Sequence, residues 1–145
     1  MKTDRTASEL EIRAAAALKA LLEQVSAIKL KEMKHEPPLR GRAAEILVHI
    51  DVFGHSHTLA CEVNPDTRPS RVRASLRKLQ DSAAHLAGEA TPVLIAPYLS
   101  PQAQALCKAS RAGFLDLEGN ARLTLGEVFI GKRSLHQHPA APSAV

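Results

Sequence analysis

A chain of 145 residues is long enough for one domain with one core and too short for two of ordinary size. Hydrophobic residues make up 45%, but only Phe53, Tyr98, Phe114 and Phe129 are aromatic, which argues against a platform of rings for stacking bases. The net charge of +4 favours a polyanionic partner, and with no signal-peptide core and no run of transmembrane length, a cytoplasmic protein without membrane contact is expected.

The pattern predicts a single domain over residues 6–133 and a disordered tail, rich in Pro and Ala, over 134–145. Residues before Thr6 read as frayed, and Ser8 with Glu11 fits a capping box. Leu10, Ala14, Leu18, Leu21, Leu22 and Val25 then recur at helical spacing. From Ala27 the period becomes two, with Ile28 and Leu30 alternating with Lys29 and Lys31, until "HEPPLRGR" breaks the strand.

From Glu45 to Phe53 the alternation is clean. Ile46, Val48, Ile50 and Val52 form the apolar side, and Glu45, Leu47, His49, Asp51 and Phe53 the other. "GHSH" predicts a turn. Leu59, Cys61 and Val63 resume the apolar side, opposite Ala60, Glu62 and Asn64.

Pro69 to about Leu86 predicts a helix with a core stripe of Val72, Leu76, Leu79, Ala83 and Leu86. "TPVLIAPYL" suits a central strand covered on both faces. Ser100-Pro101 opens another helix to about Ala112, with Gly113 as its stop. "FLDLEGNARLTLGEVFIG" predicts short strands about a Gly119-Asn120 turn, and Asp116 is assigned no chemistry. Cys61 and Cys107 read as reduced core residues. His49, His55 and His57 lack the spacing of a zinc site, and the latter two read as turn residues.

The hairpin's polar side holds the chemically suggestive groups, but two registers are open. A turn at Phe53-Gly54 sets Glu45 opposite Glu62; one centred on His55-Ser56 sets His49 opposite Glu62, with Asp51 its diagonal neighbour. Downstream, Arg68, Arg71 and Arg73 cluster at a helix start, and Arg77 and Lys78 extend the basic surface. Cations there oppose the helix dipole but suit a bound phosphate.

The stretches "AAEILVHIDVFGHSHTLACEVNPDTRPSRVR" and "PVLIAPYLSPQAQALCKASRAGFLDLEGNARL" resemble the PD-(D/E)xK superfamily over roughly Leu18 to Lys132. The resemblance implies an α/β restriction-endonuclease-like fold, a mixed sheet flanked by helices in αβββαβαββ order. It places the superfamily's first acid at Glu45, with Asp51 the local alternative, its second acid at Glu62, and Asn64 where a lysine is usual. Glu45 and Glu62 are then the implied Mg²⁺ ligands if the chain is active, and Glu45, Glu62 and Asn64 the implied catalytic positions.

The loss of the lysine and the retained arginines favour a nucleic-acid-binding protein, DNA first, with weak or no cleavage. An active Mg²⁺-dependent endonuclease is the alternative. A non-catalytic regulatory or interaction protein, as a homodimer or with another protein, is the third reading.

Overall fold

The computed structural model describes residues 2–36, 44–86 and 90–134. Its elements run α1 (Lys2–Glu23), β1 (Ile28–Glu36), β2 (Ala44–Val52), β3 (His55–Val63), α2 (Pro69–Ala84), β4 (Ala90–Ala96), α3 (Pro101–Ala109), β5 (Gly113–Asp116), β6 (Ala121–Leu125) and β7 (Val128–Lys132). The seven strands form one sheet in chain order. β1, β2 and β3 pair antiparallel, β3–β4 and β4–β5 parallel, and β5, β6 and β7 antiparallel. Each parallel step needs a crossover, and α2 and α3 supply the two.

Alternation along the strands divides the core between two faces. Ala14, Leu18 and Leu22 of α1 pack with Ile46, Val48, Ile50, Leu59, Cys61, Val93, Ile95 and Leu123. On the other face Val72, Leu76 and Leu79 of α2 join Leu94, Phe114 and the α3 residues Ala103 and Cys107. β4, buried from Val93 to Ala96, is sandwiched as its apolar run predicted. A mixed sheet with helices on both faces is the arrangement that the resemblance implies.

Several local expectations are corrected. α1 starts at Lys2, because neither Gly nor Pro interrupts residues 2–23 and the run Ala14–Ala17 favours helix; Ser8 lies inside it and not at its start. Glu11 is buried and sits 2.9 Å from His35 Nδ1. β1 extends through His35 to Glu36, and the remaining residues of the predicted break, 37–42, lie outside the described ones.

The hairpin turn is Phe53-Gly54, with φ of 51° and 82°. Positive φ at both positions is the two-residue turn whose twist matches the flanking strands. His55 and His57 are therefore strand residues, and His57 is buried with Nε2 2.8 Å from Thr91 Oγ1.

α3 opens as expected, with Ser100 Oγ accepting from Ala103 N–H at 3.1 Å, but it ends at Ala109. Arg111 takes the left-handed conformation (φ 58°). Arg111 N–H then donates to Lys108 O at 3.0 Å and Ala112 N–H to Cys107 O at 2.9 Å, a complete Schellman closure. Gly113 is not the stop. It begins β5, where a Cβ would lie 2.6 Å from Leu123 Cδ2 and 3.0 Å from Arg122 O.

A second turn at Gly126, with φ of 61°, adds β7, so the order is αβββαβαβββ. The Gly119-Asn120 turn is held by the buried Asp116 carboxylate, which accepts from Leu99, Glu118 and Asn120 backbone N–H groups and from Asn120 Nδ2. Ser134 N–H donates to Asn120 Oδ1 at 2.9 Å; the rest of the expected tail, 135–145, lies outside the described residues.

Candidate functional site

The Phe53-Gly54 turn fixes the register. Glu45 stands directly opposite Glu62, where Cβ atoms are about 4.5–5.5 Å apart. Asp51 pairs with Ser56 near the turn and meets Lys31 Nζ at 3.4 Å, so it belongs to the far end of the hairpin. His49 pairs with Thr58 and contacts its hydroxyl at 3.2 Å. His57 lies opposite Ile50, on the α1 side, so His49 and His57 face away from each other. Among the described residues no group of three or more His, Cys, Asp or Glu side chains is placed to hold a metal.

Glu62 shares its face with its neighbour Leu94, which belongs to the α2–α3 core. The helix over β3 and β4 covers it, leaving it 4% exposed, whereas Glu45 one strand farther out is half-buried. Burial pushes the Glu62 carboxyl above its ordinary range, and the Glu45 carboxylate adds to this; the hydrogen bond from Ser75 and the charge of Lys78 work the other way.

Asn64 closes this network. Its backbone N–H continues the sheet to Ile95 O at 2.9 Å. Its Nδ2 donates to Ser75 Oγ at 2.6 Å, and its Oδ1 accepts from Asp66 N–H at 2.9 Å. The Asn64 amide thus holds the hydroxyl that in turn holds Glu62. These two bonds fasten the end of β3 to the second turn of α2.

The five predicted phosphate contacts divide. Arg68 is clasped by Asp66 through Nε at 3.0 Å and Nη2 at 2.6 Å, and Arg71 Nε lies 3.5 Å from the same carboxylate. These guanidinium groups hold the Asp66 carboxyl down at about 2. Arg71, Ser75 and Lys78 follow one another along a single flank of α2, the flank beside Glu62. Arg73 and Arg77 are exposed and fall on the side away from the buried stripe Val72, Leu76 and Leu79.

Sequence reasoning missed Ser75 and Asp66. The signal for Ser75 was a polar residue at helical spacing between Arg71 and Lys78, beside a core stripe. For Asp66 it was an acid two residues after Asn64 in an arginine-rich loop, the spacing of an Asx turn.

Glu45 and Glu62 therefore meet at the rim of a mixed α/β sheet covered by helices on both faces. No family model matches the chain, and no curated protein matches it significantly. Among solved structures, "Structure of EndoMS in apo form" matches with 16% sequence identity and a TM-score of 0.44, covering 72% of this chain and 45% of that one. The chain thus spans less than half the length of that protein. No described helix is long and apolar enough to cross a membrane.

Proposed function

We propose that this chain binds nucleic acid, DNA first, on a nuclease-like fold, with weak or no cleavage. The observation that carries the reading is the engagement of Asn64. The position where a lysine is usual holds a neutral side chain that donates to Ser75 and accepts from Asp66 N–H. It offers neither a positive charge nor a proton to a scissile phosphate. Basic groups nevertheless persist along α2, so phosphate contact survives where catalysis is weakened.

A second reading, a metal-dependent endonuclease, draws on Lys78. This cation acts on Glu62 from α2 and stands beside the acidic pair without coming from the strand. Glu45 and Glu62 fit a divalent cation chemically: both are oxygen donors, and a cation would relieve the cost of a buried carboxylate charge. Bound there, Mg²⁺ would supply Lewis-acid stabilisation and a more acidic water. Glu45 and Glu62 would hold the ion, and Ser75 would orient the Glu62 carboxylate.

The purified protein is incubated with plasmid and single-stranded DNA plus Mg²⁺ or Mn²⁺, beside Glu62→Gln and Lys78→Ala. Binding without cutting is the expected result. Cutting that disappears in both variants would overturn the inactive reading and establish the second. Failure to bind any nucleic acid would overturn both.

A further inference from the structure

Three strands across the sheet from Glu62, a second basic surface lies at the other flank of the α2–α3 side. Two adjoining hollows open there. One, of about 420 Å³, lies between the start of β4, the end of α3 and β6, and is lined by Lys108, Arg111 and Arg122. The other, of about 240 Å³, has Lys108 and Arg122 on its wall again, with Phe129, Lys132 and Arg133. No described carboxylate lines either hollow, and Lys108, Arg111, Arg122 and Arg133 form no ion pair with a described carboxylate.

The helix dipole favours a cation in the last turn of α3 and so accounts for Lys108. It does not account for Arg122, which comes from β6, or for Arg111. Arg111 occupies the left-handed position that closes α3, where glycine is the ordinary choice. A long cationic side chain is kept where the backbone disfavours it, and it lines the larger hollow. Phe129 is 57% exposed, and its ring carries the Arg122 guanidinium 4.9 Å from its centroid. The ring holds that planar cation in place and leaves an aromatic surface open beside it.

We infer that this α3–β6–β7 surface is a second nucleic-acid contact, taking the phosphodiester backbone of a single strand. The inference rests on the nucleic-acid reading above and adds a surface to it. A single strand fits better than a duplex because the cations line concave walls, where a flexible backbone can enter. The exposed face of Phe129 adds the stacking that single strands use. Phosphates run along Lys108, Arg111, Arg122 and Arg133, and the acidic pair lies beyond α2 on the other flank.

The test is fluorescence anisotropy of a labelled single-stranded oligonucleotide across a salt series. It compares the intact chain with Lys108→Ala/Arg111→Gly and with Arg71→Ala/Lys78→Ala. Both members of the first pair are exposed, and glycine suits position 111, so that variant keeps its fold. Two lost phosphate contacts should weaken binding by about tenfold and flatten the log–log salt slope by roughly 1.4. An intact chain that binds while Lys108→Ala/Arg111→Gly leaves affinity and slope unchanged overturns the inference and spares the nucleic-acid reading. Binding of duplex but not single strand overturns the single-strand assignment. No binding by the intact chain overturns inference and reading together.

Discussion

The side-chain amide of Asn64 donates to the Ser75 hydroxyl at 2.6 Å, joining the end of β3 to α2. Ser75 in turn hydrogen-bonds the buried Glu62 carboxylate, so Asn64 and Glu62 share one partner on α2.

Asn64→Ala removes the donor to Ser75 and the acceptor for Asp66 N–H. At about 0.5–1.5 kcal/mol for each hydrogen bond, the variant should lose about 1–3 kcal/mol of stability. Asn64→Lys should also be destabilised, since lysine has no acceptor for Asp66, and on the proposed reading it should not by itself produce cleavage. Urea denaturation of both variants, with a plasmid assay on the second, checks this.

Glu62 gives stability a direction in pH. Its folded-state pKa is raised above 4.5, chiefly by burial. The group's contribution is therefore fully present below 4.5 and is lost as pH rises through the raised value. Glu62→Gln, neutral throughout, should match the intact chain under acid conditions and exceed it in stability near neutrality. Denaturation midpoints measured across that window should diverge upward from 4.5; parallel curves would contradict the assignment.

Arg111→Gly sets stability against binding. Glycine relieves a left-handed conformation that costs other residues about 1–2 kcal/mol, offset in part by about 0.4–1 kcal/mol of extra freedom in the unfolded chain. A net gain of up to about 1.6 kcal/mol is expected. A thermal melt should show the increase, while oligonucleotide affinity falls.

Gly113→Ala tests close packing. Its Cβ would meet Leu123 Cδ2 at 2.6 Å and Arg122 O at 3.0 Å. Leu123 is fully buried, so the strain has little outlet, and a loss of about 1–3 kcal/mol is expected in urea denaturation.

Much of the fold was legible because burial imposes short periods. Period two along Ile46, Val48, Ile50 and Val52 marked the side facing α1, and helical spacing of Val72, Leu76 and Leu79 marked the side of α2 facing the sheet. The errors fell where several local solutions were available. "FGHSH" holds two turn positions, and Gly113 looks like a helix stop when Arg111 closes the helix. A six-residue run from Val128 to Arg133 does not by itself say whether it joins the sheet.

By itself the sequence determined the helix-flanked mixed sheet and the polar side of the hairpin, since each follows from residue type and local period. Tertiary structure alone decided that Glu45 faces Glu62, that Asn64 donates to Ser75, and that Arg68 is held by Asp66. It also brought Lys108 and Arg111 of the α3 end against Arg122 of β6. The physical reason is that register and helix placement depend on which distant apolar faces pack together. A carboxylate's or a cation's chemistry depends on the neighbours that this packing brings.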